Sequence, residues 1–417
     1  LYEKYTFEYL ESQPYFDKEK IWGSPLNYIP VYGQPIKESV YIHDVTLRDG
    51  EQTPGVIFSL EERLEIGKAL SELGVARIEA GMPVVSEQVA ESIKKLVNMK
   101  LDAEIATFCR AHIDDIEASL RCGVRSVIVE HTVNPYLCKY AYGLSEEALM
   151  DRLISCVARA KAEGLNTTFM GWDFFRSPIE FTKKVYSTVV KETNPDGIVL
   201  VDTFGVATPL TVYHVFREFR EMFPDTKLEF HCHNEFGWAT GAAISAIAAG
   251  ADGVHSAING LGERTGNLST EETAVALEVL FGVSCGVKLE KIAEVSKLVS
   301  EASGVPIATN KPVLGERLFW AESGVVTDVF TKLAQLGVKP AMTPYVPELV
   351  GRGPTEYVIG KGSGGATIRF YLDKHGIAYT DGHVSNIVSA VKSLAYEKKG
   401  LVSEEELLEI ARREIEG

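Results

Sequence analysis

The chain has 417 residues, 45% of them hydrophobic and 24% charged, and a net charge of −16. This balance fits a globular protein with one large domain and a smaller one. The acidic excess excludes a broad nucleic-acid surface, which needs positive charge to displace counterions, and no apolar run approaches the roughly 20 residues of a membrane span. The opening residues lack the basic-then-apolar layout of a secretory signal. The six cysteines are scattered without a CxxC pair and read as reduced thiols. A cytoplasmic protein is the expectation.

Residues 1–38 are rich in Tyr, Phe and Pro without a steady period and read as an N-terminal arm on the outside of the main domain. From residue 39, short β-branched runs alternate with amphipathic stretches. The runs fall at 40–46, 75–81, 103–109, 126–133, 166–174, 197–204, 227–233 and 253–259. Between them, apolar residues recur at three- and four-residue spacing, as over 59–73, 86–99 and 146–162, and a last helix covers 270–281. Ser59 with Glu62 reads as a capping box. Repeated strand–helix units with right-handed crossovers build a parallel sheet. Eight of them predict an α/β fold, a (β/α)8 or TIM barrel over residues 39–285. An open doubly wound sheet would want GxGxxG after its first strand, and TLRDGEQTPG at 46–55 does not supply it. Residues 286–417 read as a smaller, mainly helical region. It has helices at 288–304, 383–397 and 403–416, a Gly/Pro-rich stretch over 304–365 and a strand at 366–372.

Barrels of this kind gather their active groups at the C-terminal ends of the strands. His231-Cys232-His233 closes the seventh run. Residues i and i+2 of a strand face the same side, so both imidazoles point into the barrel mouth, where a divalent metal outweighs two hydrogen-bonded core histidines. Arg48-Asp49 follows the first strand, separated from the seventh only by the eighth. Asp49 completes two His plus one acid, and Arg48 sets a cationic fork beside it, suited to a developing oxyanion. Alone, Asp49-Gly50 reads as a turn. Glu79 ends the second strand, placed to orient Arg48 through a bidentate pair, and Thr203 ends the sixth. NGLGERTGN at 259–267 follows the eighth strand, and Asn267 reads equally as a helix N-cap or as a further ligand.

TLRDGEQTPG (46–55), HCHNEFG (231–237) and NGLGERTGN (259–267), in that order, resemble the metallolyase superfamily of TIM barrels with an Asp-Arg-Glu signature. The nearest branch holds the 2-isopropylmalate, homocitrate, citramalate and Re-type citrate synthases. The resemblance runs through residues 40–285 and more loosely to about 365. It implies a divalent ion (Mn, Mg, Co or Zn) on Asp49, His231, His233 and Asn267, with Arg48 and Glu79 completing the signature and Thr203 contacting a 2-oxo acid. It further implies acetyl-CoA as co-substrate, a metal-polarised oxo acid, a Claisen-type condensation with thioester hydrolysis, and a homodimer formed through the C-terminal region.

The chain departs from that pattern in its acid–base and substrate parts. The HESGIH segment reads Ala321-Glu322-Ser323-Gly324-Val325-Val326, so both histidines are absent. The Ser-x-Glu-Asp run after the fifth strand reads Met170-Gly171-Trp172-Asp173. Thr168 stands where homocitrate synthases carry an arginine, Leu137 where a histidine contacts substrate, and GKHSG has become 360–364 GKGSG. Asp173, Glu322 and His131 are the candidate general bases, and Arg110 and Arg176 the candidate partners of a distal carboxylate. A large C-terminal regulatory domain of the kind many 2-isopropylmalate synthases carry is not expected. The diverged pocket leans toward oxaloacetate and a Re-type citrate synthase, with homocitrate, 2-isopropylmalate and citramalate synthesis as alternatives. Cleavage of the hydroxymethylglutaryl-CoA-lyase type is a second reading, set back because that branch carries a cysteine in its glycine loop. A non-catalytic metal- and ligand-binding barrel is the third.

Overall fold

A computed structural model describes residues 6–29 and 36–416. The chain divides into a barrel unit, residues 26–307, and a second unit that joins residues 1–25 to 308–417. The first five residues and 30–35 of the predicted arm lie outside the described residues.

All eight predicted strands are present and close into one parallel barrel: β1 (Tyr41–Asp44), β2 (Arg77–Glu79), β3 (Glu104–Arg110), β4 (Ser126–Thr132), β5 (Asn166–Trp172), β6 (Gly197–Asp202), β7 (Lys227–Cys232) and β8 (Gly253–Ser256). β8 pairs with both β1 and β7, which brings the first and seventh strands to within one strand of each other. The outer layer is α1 (Leu60–Leu73), α2 (Glu87–Asn98), α3 (Ile113–Cys122), α4 (Glu146–Ala162), α5 (Ile179–Thr193), α6 (Pro209–Met222), α7 (Ala239–Ala248) and α8 (Thr270–Phe281). Local chemistry sets their ends. Ser59 and Glu62 form the reciprocal capping box of α1, Thr208 caps α6 ahead of Pro209, and Gly74 ends α1 at φ +102°.

The barrel unit runs past the predicted boundary at 285. α9 (Ile292–Ser303) belongs to it, because Lys288 N–H donates to Leu73 O at 2.7 Å and Asn259 reaches Ser296 O at 2.9 Å. Residues 6–25 fall in the second unit. Their hairpin, Phe16–Asp17 with Ile21–Trp22, binds the C-terminal part of the chain through Trp22 N–H to Pro344 O at 2.9 Å and Val346 N–H to Lys20 O at 2.9 Å.

The rest of the second unit holds α10 (Gly324–Gln335), α11 (Gly365–Lys374), α12 (Asp381–Lys398) and α13 (Glu404–Glu416). The strand expected at 366–372 is α11. Its β-branched and aromatic residues suggest a strand, but Ile368, Tyr371 and Leu372 are spaced for one helical face. That face packs against Ile387, Val391 and Leu407, so the tertiary core overrides propensity. Among the described residues, no helix is long and apolar enough to cross a membrane.

Candidate active site

The barrel interior is split by chemistry. Inward positions of β3–β6 hold Phe108, Ile128, Met170, Val199 and Val201, one apolar cluster. Inward positions of the strands across from them hold His43, Arg77, Glu79, Glu229, His231 and His255, all buried. A charged wall inside a barrel is costly unless every charge is paired or held for a ligand.

At the mouth, Asp49, His231 and His233 bring one ligand-type atom each to within 4.8 Å of one another. The two Nε2 atoms are 3.4 Å apart, and Asp49 Oδ2 lies 3.7 Å from His231 Nε2. Burial holds both imidazoles below their ordinary pKa, His231 far below. Burial would raise Asp49, but Arg48 outweighs it and keeps the carboxylate ionised. Two neutral imidazoles whose Nε2 atoms converge beside a carboxylate offer two lone pairs and a charge to a divalent ion when their protons sit on Nδ1.

Asn267 supports the same fit. The N-cap of α8 is Ser269, whose hydroxyl accepts from Glu272 N–H, so Asn267 is not spent on capping. Its Nδ2 donates to Asp49 Oδ1 at 2.9 Å and to Leu261 O at 2.8 Å, while its buried Oδ1 has no partner. The loop before it leaves no room for side chains. A Cβ on Gly262 (φ +150°) would sit 2.3 Å from Asn267 Nδ2, and one on Gly266 (φ +84°) 1.9 Å from Gly260 O.

Arg48 lies over the Phe108 ring, Cζ 4.4 Å from its centroid. Its fork is divided, not bidentate to Glu79 as the sequence suggests. Nε binds Glu79 in a close contact, Nη1 donates to Asp49 Oδ2 at 2.7 Å, and Nη2 is buried without a partner. Burial works to raise Glu79, but Arg48 and His43 outweigh it and hold it well below the usual carboxylate range.

His43, Glu79 and His255 form a second group with metal-like spacing below the first. Its members are engaged by Arg48, Arg77 and Glu229. Arg77 Nε–H donates to His43 Nδ1 at 2.9 Å, so in neutral His43 the proton sits on Nε2, which faces Glu79 Oε2 at 3.3 Å. That nitrogen then has no lone pair for an ion. Arg77 also binds Glu229 closely, and Glu229 meets His255 Nε2 at 2.7 Å. The result is a chain of contacts from Arg77 through His43 and Glu79 to Arg48, in which the His43–Glu79 step is a 3.3 Å approach without hydrogen-bond geometry.

Other sequence candidates are placed elsewhere or already engaged. Thr203 is at the mouth, and its Oγ1 accepts from Asp173 N–H at 2.9 Å. The Asp173 carboxylate takes Arg176 Nε at 2.7 Å and Nη2 at 2.8 Å, and Asn134 Nδ2 at 2.8 Å. Arg110 is turned onto Asp115 of α3 at 2.9 Å. His131 has the wrong parity. Ile128 faces inward, so His131 faces the helix layer, where it packs on Tyr142. Glu322 lies in the second unit, accepting from Gly362 N–H at 2.8 Å.

The residue sequence reasoning missed is Glu130, one position before His131 and on the inward face. Among the described residues its carboxylate makes no hydrogen bond or ion pair. Burial pushes it up to about 8; Arg48 opposes this, and Glu79 and Asp49 add to it. An acid at an inward strand position in SVIVEHTV was the available signal.

A closed eight-stranded parallel barrel with an Arg-Asp turn after β1, a glutamate ending β2 and a His-x-His pair at the end of β7 defines the Asp-Arg-Glu metallolyases. The HMGL-like family model matches residues 39–299, and the chain belongs to that family. It falls in the synthase branch. Homocitrate synthase AksA of Methanocaldococcus jannaschii is 36% identical over 368 residues, 88% of this chain and 89% of that protein. (R)-Citramalate synthase CimA of the same organism is 37% identical over 373 residues, 89% and 74% of the two chains. Among solved structures, the HMG-CoA lyase of Bacillus subtilis matches with a TM-score of 0.60 at 23% identity, over 66% of this chain and 97% of that one, a likeness of fold.

Proposed function

We propose that the protein is a synthase that joins acetyl-CoA to a 2-oxo acid and hydrolyses the thioester. One observation carries this reading. A donor set suited to a divalent ion (Asp49, His231, His233 and the free Oδ1 of Asn267) lies beside the unpartnered Nη2 of Arg48. The named activities of the synthase relatives support it. When bound, the ion supplies a Lewis acid for the oxo acid's carbonyl. Arg48 Nη2 donates to the oxygen that gains charge as the carbon–carbon bond forms, and its other two nitrogens are fixed by Glu79 and Asp49, so no reorganisation is needed. Thr203 accepts from Asp173 N–H and keeps its own hydroxyl proton for a substrate carboxylate. A cavity of about 350 Å³ lined by Leu47, Arg48, Phe58, Met82, Val85 and Phe108 gives room for the reacting ends.

The lean toward oxaloacetate is not carried further. The cations proposed for a distal carboxylate are neutralised, Arg110 by Asp115 and Arg176 by Asp173, and Arg264 is paired with Glu235 at 2.6 Å. An apolar wall of Phe108, Met170 and Val201 supports an acid with a short alkyl group. Thiol release from acetyl-CoA with Mn2+ or Mg2+ tests this across pyruvate, 2-oxoisovalerate, 2-oxoglutarate, oxaloacetate and glyoxylate. Highest kcat/KM with pyruvate or 2-oxoisovalerate is expected. Silence with every acid would sink the function, and preference for a diacid would sink the alkyl assignment alone.

A further inference from the structure

The condensation needs a group that takes a proton from the acetyl methyl, and the carboxyls of the mouth can be tested one by one. Asp49 is held by Arg48 and Asn267, and Glu79 by Arg48 and His43. Asp173 is held by Arg176 and Asn134. Asp202 accepts the backbone N–H groups of Val206 at 3.0 Å and Ala207 at 2.9 Å. Glu235 is paired with Arg264. Each carries a structural or electrostatic duty that protonation would break.

Glu130 has none. β4 pairs with β3 so that Phe108 stands beside Ile128 and Arg110 beside Glu130, and with β5 so that Glu130 stands beside Met170. Ile128 lies in the inward cluster with Phe108 and Met170, and alternation puts Glu130 on the same wall, one rung nearer the mouth. Arg48, over the Phe108 ring, is the cation whose charge it feels most. Glu130 is half-buried as a residue, not sealed in the core, which leaves it open to substrate. Burial lifts the carboxyl to about 8, which makes its ionised form a stronger base than an ordinary glutamate.

Resting on the synthase reading, we infer that Glu130 is the proton-transfer residue of the condensation. A Glu130 carboxylate oxygen takes one proton from the acetyl methyl. The C–H electron pair forms the bond to the oxo carbon. The carbonyl π pair moves to the oxygen facing Arg48, and that alkoxide takes the proton back from Glu130. Water then cleaves the thioester, and CoA leaves as the thiol.

The test compares wild type with Glu130→Gln, a near-isosteric change, and with Glu130→Asp. Thiol release is followed with acetyl-CoA and its CD3 form, with the acid the wild type prefers. Glu130→Gln is expected to lower kcat by about 10²–10⁴-fold. It should also enlarge the isotope effect, because proton removal becomes the slow step, and leave KM for the acid within about threefold. Glu130→Asp should recover part of the rate. An unchanged kcat with a raised KM would overturn the inference and make Glu130 a binding residue. A lowered kcat without an isotope effect would overturn it as well. A wild type that releases no thiol with any acid would overturn the synthase reading, and this inference with it. If Glu130→Gln does not fold, the isotope effect and rate of Glu130→Asp decide.

Discussion

The chain of contacts beneath the mouth can be broken at Arg77 without touching any group at the metal-type site. Arg77→Met keeps most of the volume and removes the donors to His43 Nδ1 at 2.9 Å, to Thr168 at 3.4 Å and to Glu229. Glu229 is fully buried, and its Oε1 has no partner even in the intact network. Stranding one partner of such a pair costs about 3–5 kcal/mol. At roughly 2–4 °C per kcal/mol for a domain of this size, the melting temperature should fall by about 10 °C. The pH dependence gives a second check. In the wild type, burial would raise Glu229, but Arg77 outweighs it and holds it well below the usual carboxylate range. Without Arg77, burial is opposed only by the weaker His255 and His43 contacts, so the folded variant keeps a proton that the unfolded chain releases. Its deficit should therefore grow as pH rises from about 5 to about 8. Glu229→Gln added to Arg77→Met removes the stranded charge and should restore more than half the loss. Thermal unfolding of the wild type and the two variants at both pH values decides it. A shift of less than about 2 °C in Arg77→Met, or a double variant no better than the single, would refute the claim that Arg77 neutralises the barrel floor.

Three further outcomes are expected. Millimolar Mn2+ should raise the melting temperature of chelator-treated wild type by several degrees, as binding to the folded state alone stabilises it by about 2.7 kcal/mol at a hundred times Kd, and should leave the His231→Ala/His233→Ala variant unmoved; equal shifts would place the ion elsewhere. Gly262→Ala forces a Cβ to within 2.3 Å of Asn267 Nδ2 at φ +150° and should weaken Mn2+ affinity about 10–100-fold, read by calorimetry; an unchanged affinity would remove Asn267 from the site. With Glu130 as base, log kcat should climb as pH rises and level off near 8, since Arg48 pulls its pKa down while burial, Glu79 and Asp49 push it up; Glu130→Gln should erase that limb, and its survival in the variant would assign the limb to another group.

The barrel was legible because its signals repeat. Eight alternations, each with its own apolar period, leave little room for another topology, and the cap at Ser59 falls at the residue that begins α1. The convergence of Asp49 with His231 and His233 was legible for the same reason, since strand order fixes which ends are neighbours. Parity was harder to read. His131 attracts attention as an ionisable ring at a strand end, yet it faces outward, and the glutamate beside it faces in. Only the packing of Ile128 with Phe108 and Met170 decides which of the two adjoining residues enters the barrel. Residues 366–372 failed differently: a β-rich composition yielded to a helix whose apolar face the second unit could bury. Pairings between distant residues, such as Arg77 with Glu229, carry no local sequence signal at all.

Strand parity also links the departures from the synthase pattern to one another. Trp172 stands where the resemblance places a glutamate, at the end of β5, and Thr132 is its register partner on β4. Glu130 lies one inward rung below that partner. A carboxyl lost from β5 and one gained on β4 thus face the same space above Phe108 and Met170, and Arg48 feels the one that is present. Transferring residues position by position along the motif leads to Asp173, whose charge is already consumed by Arg176. Asking which inward carboxylate is left without a partner leads to Glu130. The two routes make different predictions for one pair of variants: Asp173→Asn should act mainly through the Arg176 and Asn134 contacts and lower stability, whereas Glu130→Gln should spare the fold and slow turnover.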